Sequence, residues 1–195
     1  MSVRRWLQFY RLSLFALLTL LVACTHSRST DVYRDPKMDF GVIDTLAVMP
    51  FAGLTRDNIA AERVRDVFIN KLLATGGVYV LPVGEVARGV LRTEIPNPSA
   101  PSPEEVIKLG TIIKVPAILT GVVREYGEVR SGTTSANIIS LSVEMMETQT
   151  GRVVWATSST KGGVNIWDRL FGGGGRPMAD VTEQAVNDVI NKLFR

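Results

Sequence analysis

The chain's only cysteine, Cys24, closes an apolar run, and its position there constrains everything downstream. Residues 12–23 carry two polar side chains, Ser13 and Thr19, and Arg4, Arg5 and Arg11 precede them. A basic start, a short apolar stretch and a small residue before the cut describe a secretory signal. The twelve residues of the run rise about 18 Å as a helix, against about 30 Å of bilayer hydrocarbon, too short for a permanent span. With one cysteine and one histidine, His26, in 195 residues, the chain has no disulfide framework and no multi-cysteine zinc site.

Leu21-Val22-Ala23-Cys24 resembles the lipobox of bacterial lipoproteins. That resemblance implies that residues 1–23 are removed as a lipoprotein signal peptide and that Cys24 is acylated as the first mature residue. A thioether carries the diacylglycerol, so the position requires a thiol. Each buried lipid CH₂ contributes about 0.8 kcal/mol, and several chains of palmitate length make a lasting membrane tether. The alternatives are an ordinary signal peptide with a chance cysteine, or an uncleaved anchor. Thr25 rather than Asp follows the cysteine, which by the same resemblance implies sorting to the outer membrane with the domain facing the periplasm. Removing Arg4, Arg5 and Arg11 leaves 19 basic residues against 19 acidic ones. The basic balance is a property of the precursor, and no nucleic-acid role is read from it.

Residues 24–41 are polar, lack periodicity and contain Pro36, and read as a lipidated spacer before a single domain at 42–195. Within that domain Ile43–Met49 is a strand-like run ending at Pro50. Thr55–Ala74 carries Ala60, Val64, Val67, Phe68, Lys71 and Leu72 at helical spacing and ends at Gly76-Gly77. Val78–Leu81 reads as a short strand and Gly84–Leu91 as a short helix. Four prolines between Thr93 and Pro103 make a loop. Ser102-Pro103-Glu104-Glu105 then has the form of a capping box opening a helix to about Ile113.

Three strands follow: Ala117–Tyr126, Asn137–Glu147 and Arg152–Ser159. In the second, Ile139, Leu141, Val143 and Met145 alternate with Ser140, Ser142 and Glu144. Lys161–Pro177 is Gly-rich. A last helix presents Val181, Ala185, Val189 and Leu193 on one face with Val186 and Ile190 beside it. The order β-α-β-α-β-β-β-α predicts an α/β fold, a mixed sheet with helices packed on it as a layered sandwich.

Chemistry-bearing residues are sparse. Gly172–Gly175 followed by Arg176 lacks the spacing of a phosphate loop, and reads as a flexible surface loop or, less simply, an anion nest. Glu104 and Glu105 belong in a first helical turn for capping and dipole reasons. Glu144 and Glu147 are the only carboxylates that a hydrolase acting on peptidoglycan or glycans would have to use. The lone His26 lies in the spacer, so no Ser-His-Asp triad is available. No catalytic residue, metal site or cofactor is expected. Trp155 reads as packing on a strand. Ile166, Trp167, Leu170 and Phe171 make an apolar stretch inside the Gly-rich loop, and read either as packing on the domain or as a partner surface.

Thr45-Leu46-Ala47-Val48-Met49-Pro50-Phe51, Ala117-Ile118-Leu119-Thr120-Gly121-Val122-Val123 and Glu147-Thr148-Gln149-Thr150-Gly151-Arg152-Val153-Val154-Trp155 together resemble a group of bacterial envelope lipoproteins. The group includes the curli-secretion channel lipoprotein (CsgG-like), the activator lipoprotein of penicillin-binding proteins (LpoB-like) and the N-terminal domain of TolB. The resemblance spans about Ile43 to Leu193, with Glu147 where the pattern usually has Asp. It implies a non-enzymatic assembly, secretion or activator component of the cell envelope, working through other envelope proteins and in some members as a homo-oligomeric ring. The curli channel builds a barrel from long hairpins. Here Glu128–Ser135 reads as a short turn, and Thr160–Met178 is too Gly-rich for two spanning strands. The LpoB-like members carry a long stalk, where this chain has a short spacer.

Overall fold

The computed structural model describes residues 32–132, 134–163 and 175–195. Among them the strands are β1 (Val32–Arg34), β2 (Thr45–Val48), β3 (Ala52–Gly53), β4 (Tyr79–Val80), β5 (Ala117–Ser131), β6 (Thr134–Glu147) and β7 (Val153–Gly162). The helices are α1 (Ala60–Thr75), α2 (Val83–Thr93), α3 (Pro103–Ile113) and α4 (Met178–Leu193). The strands make one mixed sheet in the order β1-β7-β6-β5-β2-β4, with β3 paired to β5. β2 runs parallel to β4 and β5, while β5, β6 and β7 form an antiparallel meander. The fold is the expected α/β layered sandwich.

β2 shows why the sheet is covered on both sides. Leu46 and Val48 face a core that α1 and α4 close, while Ala47 and Met49 face a second core that α2 and α3 close. A stretch buried on both faces must be apolar throughout, and Leu46–Met49 is. The first core takes Ile139, Leu141, Val143 and Met145 from β6, Val64, Phe68 and Leu72 from α1, and the six expected residues of α4. Trp155 is fully buried in the same core. The second core is smaller and takes Ile118, Met146, Val86, Val106 and Leu109.

Three differences from the sequence reading have a local reason. α1 begins at Ala60 rather than Thr55. Asp57 accepts from the Ile59 amide, and the Thr55 hydroxyl donates to the Asp57 carbonyl; such side-chain bonds hold a turn against the helix. The expected short turn at 128–135 gives way to longer strands: β5 runs on to Ser131 and β6 starts at Thr134, with Glu128 paired to Asn137 and Ser131 to Thr134. Its residues alternate without an apolar face, so only backbone pairing carries the strands outward. The third difference lies in the expected spacer. Val32–Arg34 adds to the sheet beside Thr157–Trp155 of β7. The Asp35 carboxylate accepts from the Lys37 amide at 2.9 Å and from Arg152 at 3.1 Å. Arg34 lies 4.3 Å over the Phe40 ring and donates to the Leu193 carbonyl at 2.8 Å. The ordered sheet therefore takes in chain well before residue 42.

Candidate interaction surface

Cys24, Ile166, Trp167, Leu170 and Phe171 lie outside the described residues, as do Gly172–Gly174. Gly175 is packed so tightly that a Cβ on it would stand 2.8 Å from the Ala136 Cα. Arg176 donates to Gln184 at 2.6 Å, and its carbonyl accepts from Asn137 at 2.8 Å.

The carboxylates do not converge. Glu144 and Glu147 are three residues apart on β6, so strand alternation sends them to opposite faces of the sheet. Glu144 is exposed, and Glu147 accepts from the Thr150 hydroxyl at 2.6 Å. Glu105 accepts from the Ser102 amide at 2.7 Å while its own amide donates to the Ser102 hydroxyl, which is the expected capping box. Hydrogen bonds from its own backbone amide and from Ser102 hold the neighbouring Glu104 carboxyl below its usual range. Among the described residues no group of three or more His, Cys, Asp or Glu is arranged to hold a metal ion. No helix among them is long and apolar enough to cross a membrane.

What the structure assembles instead is an apolar groove of about 290 Å³ lined by Pro50, Arg65, Val83, Val86, Ala87, Val90 and Leu91. Pro50 ends β2, Arg65 comes from α1, and the rest come from α2. The groove thus opens where the two helical layers approach each other past the end of the strand. Of the lining residues of α2, Val86 is buried in the second core and Val90 packs partly buried against it, while Val83 is 42% and Leu91 76% exposed. Helical spacing of Val83, Val86, Ala87, Val90 and Leu91 makes a stripe wider than the sheet can cover, so half of it is left for the surface.

Arg65 is the one charged group in this lining. Its Nη2 donates to the Val48 carbonyl at 2.6 Å, and its Nε is buried without a hydrogen-bond partner among the described residues. Burial holds its pKa below the ordinary guanidinium value, with Asp66 and then Glu62 acting in the opposite sense. The sequence reading did not single out this groove, although the excess of apolar residues on α2 was visible.

No family model matches the chain, and no curated protein matches it. Solved structures do. A PelC dodecamer from Paraburkholderia phytofirmans aligns with a TM-score of 0.54 at 18% identity, covering 83% of this chain and 95% of that one. The lipoprotein GNA1162 from Neisseria meningitidis aligns with a TM-score of 0.52 at 20% identity, covering 75% of this chain and 98% of that one. These likenesses establish a shared fold and do not select among the CsgG-like, LpoB-like and TolB N-terminal groups.

Proposed function

We propose that this chain is an outer-membrane lipoprotein, anchored through lipid at Cys24, whose domain works in the periplasm as a non-enzymatic assembly or secretion component. The observation that carries the reading is the sole cysteine placed directly after Leu21-Val22-Ala23 at the end of a short apolar run. Residues 1–23 are the signal peptide in this reading, and the few residues between Cys24 and Val32 link lipid to sheet. The scarcity of convergent chemistry supports binding over catalysis, as does an open apolar groove on an otherwise well-packed domain. Likeness of fold to a protein solved as a dodecamer supports a homo-oligomeric assembly, including the reading as a subunit of a ring-shaped secretion channel.

Fractionation of the native host tests the anchor. The wild-type chain belongs in the outer-membrane fraction with residues 1–23 absent and Cys24 acylated. Cys24→Ala should leave it unprocessed or released from that fraction. Recovery of the wild-type protein with a bare thiol and its first 23 residues attached overturns the reading. Native mass measurement of detergent extracts tests the assembly: an oligomer supports it, and monomer alone removes it.

A further inference from the structure

We infer that the outer edge of β5 in the β5–β6 hairpin pairs with the same edge of a second copy of this chain, antiparallel about a two-fold axis at Val129. The inference rests on the oligomeric part of the reading above and is independent of the lipid.

β2 and β3 cover one side of β5 only as far as Val123. β5 runs on to Ser131, and no described residue pairs with that side of it beyond Val123. The hairpin's other edge, on β6, is taken. The Asn137 carbonyl accepts from the Gly163 amide, the Asn137 side chain donates to the Arg176 carbonyl, and Gly175 abuts Ala136. An open strand edge is a row of unpaired amides and carbonyls, a template for another strand.

The backbone limits the register. The Leu119 and Val123 carbonyls accept from the Met49 and Leu54 amides, so in this part of β5 the odd-numbered residues turn their backbone groups away from β6. The irregularity between Val123 and Glu125 inserts one residue and reverses the alternation. Beyond it Tyr126, Glu128 and Arg130 turn their amides and carbonyls to the open edge. Two copies therefore bond with even-numbered residues opposite one another.

Charge selects among the registers that remain. An axis at Glu128 or at Arg130 sets that charge against its own copy. An axis at Gly127 sets Arg130 against Arg124. An axis at Val129 sets Glu128 of each copy opposite Arg130 of the other, and does so twice. The Arg130 and Glu128 side chains are 79% and 48% exposed and lie 3.7 Å apart, so the four charges make one alternating cluster on one face. On the other face Val129, an exposed aliphatic side chain on a polar hairpin, meets its own copy. That pair is of the closer cross-strand type, about 4.5 Å between Cα atoms. An isologous contact closes on itself, so it makes pairs, and a larger ring needs a second contact besides.

The test uses the full-length lipidated protein in native envelopes, under mild oxidation. Val129→Cys puts two thiols within disulfide reach across the axis. Arg130→Cys leaves them about 9 Å apart at Cα, beyond that reach. Val129→Cys should form a disulfide-linked dimer at least tenfold faster than Arg130→Cys or the wild-type chain, whose one cysteine is Cys24. On the Val129→Cys background, Glu128→Arg and Arg130→Glu should each slow dimer formation at least tenfold, and the two together should restore it. These side chains are exposed, so circular dichroism should not change. An oligomer in native mass that gives no Val129→Cys dimer, equal dimer from Val129→Cys and Arg130→Cys, or charge reversals without effect overturns the pairing and leaves the assembly reading standing. A wild-type chain that is monomeric in native mass removes both.

Discussion

Gly110 on α3 lies against Thr148 in the turn between β6 and β7, so closely that a Cβ on the glycine would stand 2.2 Å from the threonine Cβ. Thr148 cannot retreat. Its hydroxyl donates to the Val115 carbonyl and its amide to the Pro116 carbonyl. Helix propensity alone would reward Gly110→Ala by about 1 kcal/mol. The contact reverses the sign, and the variant should lose about 1–3 kcal/mol by overpacking. Urea unfolding followed by far-ultraviolet circular dichroism measures it; a gain in stability would contradict the contact.

The capping box predicts a smaller and purely local effect. Ser102→Ala leaves the Glu105 amide without its acceptor and should cost about 1 kcal/mol. Ser102→Gly should cost only a few tenths, because glycine also suits this position. The same denaturation experiment compares the two, and equal losses would show that the cap bond contributes little.

The contrast between these two sites shows what the sequence could tell. Ser102 to Glu105 acts within one turn, so four adjacent residues contained the whole argument. The α4 face and the β6 alternation were legible for the same reason: a period repeats along one element and meets one core. Gly110 against Thr148 joins residues far apart in the chain, and nothing in either neighbourhood announces the other. β1 was read as spacer because three residues at a sheet edge carry no period, and its pairing with β7 is made by backbone. The groove escaped because it needs Arg65 from one helical layer and Leu91 from the other. Cys24 and the Trp167 stretch were legible as sequence, and both fall outside the described residues.

Asp188 predicts a dependence on pH. Burial alone would raise its pKa. Lys192 at 2.9 Å and Lys161 at 3.5 Å outweigh burial and hold the folded value below the ordinary one. A depressed folded pKa adds stability that is present above the unfolded value of about 3.9 and is lost as pH falls through the folded one. Wild-type stability should therefore fall on acidification below about pH 4. Asp188→Asn should be less stable at neutral pH and should show a shallower fall. Identical acid limbs for the two proteins would remove Asp188 from the account.

The Asp35 bonds predict how firmly the chain's start is held to the sheet. The Asp35 side chain is 7% exposed and joins the Lys37 amide to Arg152, fixing β1 beside β7. Asp35→Ala should leave the two cores intact while β1 opens more often. Limited proteolysis between residues 25 and 40 should run about tenfold faster, as for about 1.4 kcal/mol of lost local stability. The unfolding midpoint should move little. A large drop in midpoint with unchanged cleavage would mean that Asp35 holds the whole domain rather than its first strand.

Phe51 joins the end of β2 to α1. Its ring meets Phe68 edge-on at 5.7 Å and lies over Gly121 of β5, where an added Cβ would stand 2.8 Å from three ring carbons. Strand residues usually favour larger side chains, since glycine in a strand weakens it. Here glycine makes room for the ring. Gly121→Val should push Phe51 toward Phe68 and cost about 1–3 kcal/mol. Phe51→Ala in the same chain should recover part of that loss, because it removes the group the new methyls would strike. A double-mutant cycle by urea unfolding gives the coupling directly. Additive losses at Gly121 and Phe51 would show that the ring can move aside freely, and that β2, β5 and α1 are not held together through this contact.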